Sequence, residues 1–141
     1  MNKQIFSKGF LKITITSMLL LVGENLIHAQ SRVWAVPKDA SSTKNPVSSD
    51  AGSIKTGKTL YTTYCTTCHG DKGKGDGIAS AALNPKPADH TTAALKAESD
   101  GSLFYKISNG RTPMPQFKTT LNDAQRWALI NYIRTLAKKT K

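Results

Sequence analysis

The chain has 141 residues, 38% of them hydrophobic, and a formal net charge of +11. That length allows one small domain, whose apolar core alone buries too little surface for comfortable stability. The export pattern at its N-terminus excludes nucleic acid as the partner of the positive charge, leaving acidic proteins or anionic lipid headgroups.

Lys3, Lys8 and Lys12 precede an acid-free apolar run over residues 13–22, and Ala29 offers a cleavage point before Gln30. This is the charged, apolar, small-residue order of a secretory signal peptide, expected over residues 1–29, with the product in the periplasm. The run falls short of the about 20 residues that a bilayer span needs. An uncleaved membrane anchor is the alternative, and Glu24 and Asn25 break its apolar pattern. Cleavage removes three lysines and one glutamate, which leaves 112 residues at +9. Scattered lysines serve solubility equally well.

Residues 30–52 read as an extended Pro/Ser-rich arm, because Pro37, Pro46, Gly52 and the serines oppose regular structure. Trp34, between Val33 and Val36, is its candidate docking residue. The domain proper is expected over 53–141. Ile54, Gly57, Leu60, Tyr61 and Tyr64 recur at helical spacing, with Ser53 or Asp50 as cap, and the helix runs into Cys65. Gly70, Gly73, Gly75 and Gly77 then enforce a loop. It follows no strand and lacks the oxygen ligands of a calcium loop, so neither phosphate nor calcium binding fits. Asn84–Asp89 is extended by Pro85 and Pro87. A helix is expected over Asp100–Ser108, capped by Ser99 and stopped at Asn109-Gly110. The last helix opens on an Asn122/Gln125 capping box and aligns Trp127, Ile130, Ile133 and Ala137, widened by Leu129 and Leu136. No convincing strand or repeat occurs, and the fold class reads all-α.

Both cysteines, Cys65 and Cys68, stand in YCTTCHG with His69 behind them. A thioredoxin-type couple needs a strand before the motif. A zinc site would have to use the adjacent Cys68 and His69 together with His90, which suits one tetrahedral ion badly. A disulfide across two residues closes too small a loop to contribute much. Covalent haem attachment uses all three residues: two thiols one turn apart reach the two vinyl groups, and the imidazole binds iron from below. C-x-x-C-H is the signature of that chemistry, and it implies one haem c.

Met114 is the only methionine outside the expected leader, held between Pro113 and Pro115, and is the candidate sixth ligand. A lone methionine otherwise fills core space. His90 is the rival ligand, although a histidine flanked by ADHTT reads as a surface residue.

At these residues the chain resembles the class I c-type cytochromes, the small bacterial monohaem kind. The resemblance covers about Ile54 to Leu136, carried by CTTCHG, the Gly-rich loop, SDGSLFYKISNGRTPMPQF and WALINYIRTL. It implies the cytochrome c fold, three to five short helices around one haem, with thioethers at Cys65 and Cys68 and axial ligands His69 and Met114. It also implies that Gly57 and Tyr61 meet Leu129 and Tyr132 where the first and last helices cross, and that a proline carbonyl, of Pro85 or Pro87, bonds the ligand histidine. The implied function is one-electron transfer between partners of a respiratory chain, as a carrier rather than an enzyme in its own right. Lys72, Lys74, Lys86 and Lys118 would steer an acidic redox partner. The alternatives are a permanently bound subunit of a membrane or dehydrogenase complex, docked through the Trp34 arm, and a five-coordinate haem peroxidase or gas sensor.

Overall fold

The structure, a computed structural model, describes residues 34–138. The expected leader, residues 1–29, lies outside them. Trp34 belongs to an N-terminal unit, Met1–Ala35, and all the helices named below belong to a second, Val36–Lys141. Along that second unit run α1 (Lys38–Ser42), α2 (Ala51–Tyr64), α3 (Thr66–His69), a 3-10 turn (Ser80–Ala82), α4 (Ala93–Ala97), α5 (Asp100–Asn109) and α6 (Asp123–Lys138). Among the described residues the only bridge is the isolated Arg111–Met114 pair. The all-α class holds.

Each main helix begins where a side chain takes up an orphan N–H. Asp50 Oδ1 accepts from Ser53 N at 2.8 Å, and Ser99 Oγ from Ser102 N at 3.1 Å. Asn122 and Gln125 exchange side chain–backbone bonds, both 2.9 Å, which completes the capping box. Gly110, at φ +62°, ends α5.

The core lies where α2 crosses α6. A Cβ on Gly57 would stand 2.0 Å from the Ala128 carbonyl oxygen and 2.9 Å from Tyr132 Cβ, so only a missing side chain allows this approach. The backbone that meets Gly57 is that of Ala128, one residue before the expected Leu129. Leu129 instead turns into the buried cluster with Tyr61, Leu103, Ile107 and Ile130. Beside it Phe104 stacks on Trp127 at 4.0 Å, and the Arg126 guanidinium lies 4.5 Å above the Phe104 ring.

Two expectations need correction. The stretch over 30–52 is not wholly extended: α1 forms in it, and from Val36 it belongs to the same unit as the helices. The reason is buried polar satisfaction. Asn131, on α6, accepts from Asn45 Nδ2 at 2.9 Å, and its own Nδ2 faces the carbonyls of Val47 and Ser48 at 3.2 and 3.1 Å. Ser99 Oγ donates to the Ser41 carbonyl at 2.6 Å, tying α1 to the start of α5. The second difference is α4, a helix of five residues capped by Thr92 and anchored by the buried Leu95. It is too short for its periodicity to stand out in the sequence.

Candidate metal centre

The site starts at a break between helices. Cys65, at φ −116° and ψ −30°, separates α2 from α3. Its carbonyl accepts from the N–H of Cys68 at 3.2 Å and of His69 at 2.8 Å, so both thiols and the imidazole leave from one turn. The thiols are half-buried and unbridged. Burial, with Cys68 as a lesser cause, pushes the Cys65 thiol up to about 12. Thiol exchange and zinc binding both use a thiolate, which this environment opposes. Thioether formation adds S–H across a vinyl group and is not opposed in that way.

The loop that follows caps this turn with its own backbone. Gly75 N–H donates to the His69 carbonyl at 2.9 Å, Gly77 N–H to Cys68 at 3.1 Å, and Ala79 N–H to Thr67 at 2.9 Å. Gly75 sits at φ +73°, and a Cβ there would lie 2.5 Å from the Pro87 carbonyl oxygen. The chain then returns alongside, and His90 N–H donates to the Gly73 carbonyl at 2.6 Å.

This return sets the imidazole. His69 Nδ1 lies 3.0 Å from the Ala88 carbonyl oxygen. A carbonyl only accepts, so Nδ1 carries the proton and Nε2 keeps its lone pair for a metal. The acceptor is thus Ala88, and the bond expected from Pro85 or Pro87 is not made by either. The Pro87 carbonyl instead lies close against Gly75. Burial lowers the His69 pKa from its ordinary value, with the Ala88 bond opposing.

His90 is not a surface residue. It is 8% exposed and lies with its ring stacked on that of His69, centroids 4.2 Å apart and planes 20° from parallel. Its Nδ1 is 3.1 Å from the Tyr61 hydroxyl. Burial first, then the neighbouring His69, pushes its pKa down to about 3, so the ring is neutral. Two axial imidazoles would aim nitrogens at each other across one iron; these two present their faces. The geometry therefore removes His90 as a rival sixth ligand.

Met114 closes a tight turn in which Arg111 and Met114 exchange backbone bonds of 3.0 and 2.8 Å. Cys65 and Met114, half-buried, both border the same apolar cluster. Tyr64, next to Cys65, meets Phe117, three residues beyond Met114, edge-on at 6.0 Å. Two of the four candidate steering lysines are engaged with their own fold. Lys86 Nζ donates to the carbonyls of Ser80 and Ala81 at 3.0 and 2.8 Å, and Lys118 Nζ to Asn109 Oδ1 at 3.3 Å. Lys72 and Lys74 are exposed on the glycine loop. A cleft of about 510 Å³ opens between Thr66, Lys72, Asp76 and Ile78, and neither thiol nor the imidazole lines it.

These donors fit a haem c. Two thiols share one turn, an imidazole presents a deprotonated Nε2, and a thioether borders the same core. Among the described residues no cluster of three or more His, Cys, Asp or Glu side chains offers a bare-metal site instead.

Comparison with known proteins places the chain in a family. Residues 52–133 match the family described as cytochrome C oxidase, cbb3-type, subunit III. The CcoP subunit of cbb3-type cytochrome c oxidase from Azospirillum sp. (strain B510) is 33% identical over 99 residues, 65% of this chain and 31% of that protein. CcoP from Azospirillum brasilense is 31% identical over 93 residues, with the same coverage. The chain thus spans about a third of the length of these relatives. A chain of the Kuenenia stuttgartiensis reducing HAO-like protein complex superposes with a TM-score of 0.59 at 29% identity, over 77% of this chain and 53% of that one. The KustC0563 c-type cytochrome superposes with a TM-score of 0.50 at 28% identity, over 57% of this chain and 95% of its own. With an all-α fold, a C-x-x-C-H turn and these matches, the chain belongs to the cbb3-type subunit III family of cytochrome c domains, whose chemistry is electron transfer through haem c.

Proposed function

We propose that this chain transfers electrons as a bound cytochrome c subunit of a membrane respiratory complex. It works on the periplasmic side after removal of residues 1–29. One haem c would be held through Cys65 and Cys68, with His69 and Met114 as the iron-binding residues. The observation that carries the ligand reading is the bond from His69 Nδ1 to the Ala88 carbonyl at 3.0 Å. It leaves Nε2 deprotonated and the ring anchored, as a metal-bound histidine requires. The subunit role is supported by the family match and by the two CcoP relatives.

When bound, the haem supplies a one-electron ferric/ferrous couple. The chain's own residues decide how that couple behaves. His69 and Met114 would together hold the iron and leave no position for a substrate, and a sulfur ligand paired with nitrogen would raise the potential. The Ala88 carbonyl makes the imidazole more basic and holds it still. The apolar cluster bordered by Cys65 and Met114 disfavours the extra ferric charge. Lys72 and Lys74, exposed beside the thioether turn, steer an acidic surface toward the nearest haem edge.

The ferric spectrum tests the ligands: a weak red charge-transfer band from sulfur is expected, and is lost in Met114→Ala. A high-spin wild-type spectrum would overturn the assignment and favour a five-coordinate peroxidase or sensor. A freely diffusing shuttle is the second reading, favoured by Lys72 and Lys74, whose exposure suits transient docking on an acidic partner. Affinity purification of the tagged full chain from detergent-solubilised membranes separates the two. Co-elution of further haem-bearing subunits is expected. Recovery as a monomer from the soluble fraction alone would establish the shuttle.

A further inference from the structure

Outside the proposed ligands, His90 is the most constrained polar group near the site. Tyr61 Oη lies 3.1 Å from His90 Nδ1 and 3.3 Å from the Gly70 carbonyl oxygen. A carbonyl only accepts and a hydroxyl has one proton. Both contacts are satisfied in one way: Tyr61 donates to Gly70, and His90 Nδ1–H donates to Tyr61. Tyr61 cannot swing away to release this bond, because it is 1% exposed and packs 5.2 Å from the Tyr132 ring in the α2–α6 crossing. The His90 backbone is pinned on both sides. Its N–H bonds Gly73, and Asp89 Oδ1 accepts from Thr91 N and Oγ1 at 2.7 and 2.6 Å. A continuous line of contacts therefore runs from the helix crossing to one face of the His69 ring.

We propose that His90 is a positioning residue that sets the plane of the His69 imidazole. The inference rests on the reading of His69 as an iron ligand. The Ala88 bond holds Nδ1 at a single point, and the breadth of hydrogen-bond angles leaves the ring free to tilt about it. A flat ring stacked at 4.2 Å and 20° removes that freedom. The orientation of an axial imidazole plane splits the two iron d orbitals that overlap its π system, so the stack acts on the electronic state of the metal and not only on stability.

The test compares His90→Ala, His90→Phe and His90→Leu as haem-loaded full-length protein, by low-temperature electron paramagnetic resonance of the ferric form. In His90→Ala the largest g value is expected to move by more than the wild-type linewidth and to broaden, with the red sulfur band retained. His90→Phe, a flat ring of similar size, restores a narrow signal near the wild-type position; His90→Leu, bulky but not flat, does not. If His90→Ala fails to take up haem, the Phe and Leu variants carry the comparison. Wild-type g values in every loaded variant, or restoration by Leu as complete as by Phe, would reduce His90 to a space-filling residue and overturn the proposal. Failure of the ligand reading itself looks different: the red band would then be missing from the wild-type protein.

Discussion

The two ends of α2 are held by opposite means. At the crossing with α6, apolar surface does the work: Gly57 admits the Ala128 backbone, and Tyr61, Leu129 and Ile130 are almost wholly buried around it. Beyond Cys65 the arrangement reverses. From Gly70 to Asp89 the only buried residues are Gly70, Gly73 and Gly77, while Ile78 is 93% exposed. That segment is held by backbone N–H groups of the loop returning to the carbonyls of the C-x-x-C-H turn. Hydrogen bonds of this kind each add only about 1 kcal/mol net, so the loop is accurately shaped without being strongly stabilised by its own side chains. One region makes a core; the other is a backbone mould that the proposed haem would fill.

The largest effect should come from removing the bound group. If haem is attached as proposed, Cys65→Ala with Cys68→Ala prevents it, and the haem-free chain is expected to lose most of its far-ultraviolet circular dichroism and its cooperative melt. A full helical spectrum in that variant would show that the crossing alone sustains the fold and would break the contrast. Next in size is Gly57→Val. Its side chain cannot fit 2.0 Å from the Ala128 carbonyl, so the helices must part, at a cost of about 3 kcal/mol or more in a denaturant melt. Gly75→Ala tests the other region. Positive φ and the clash with the Pro87 carbonyl at 2.5 Å together cost about 2 kcal/mol and loosen the Ala88 hold on His69. If Gly75→Ala destabilised more than Gly57→Val, the ranking of the two regions would be reversed.

The smallest effect concerns pH. Hydrogen bonds from Thr91, side chain first and then backbone, hold the Asp89 carboxyl below its ordinary value. Its folded pKa is therefore the lower one. The stability it adds is complete above about pH 4, the ordinary carboxylate value, and is lost as pH falls through the folded value. Asp89→Asn keeps an acceptor for Thr91 but does not titrate there. Its melting temperature should lie slightly below the wild type near neutral pH and fall less steeply in acid, so that the gap closes. Parallel acid limbs would remove the assignment. Asp89 lies near the surface, so solvent screens the effect and keeps it small.

Much of this was legible in the residues themselves. The caps at Asp50, Ser99 and Asn122, the stop at Gly110 and the apolar face of α6 depend on neighbours within a few positions, and they stand where their patterns place them. The haem motif is as local. The environment of the histidines was not legible. ADHTT is polar on both sides of His90, and no nearby residue signals that the ring is buried on His69. Nor does any pattern tell Ala88 from Pro87 as the carbonyl that faces the imidazole. The signal that could have found His90 is indirect: a glycine loop and a proline-stiffened return of similar length must run side by side.

The amino-acid sequence alone determined the helical class, where the principal helices begin, and the C-x-x-C-H turn on which the proposed haem site rests, because each follows from side chains and backbone groups within a few residues of one another. Only the tertiary structure decided that Ala88, 19 residues from His69, supplies the carbonyl, and that Tyr61, 29 residues from His90, holds the second ring. Those contacts depend on the path of a loop, and that path is set by which glycine meets which carbonyl across the fold.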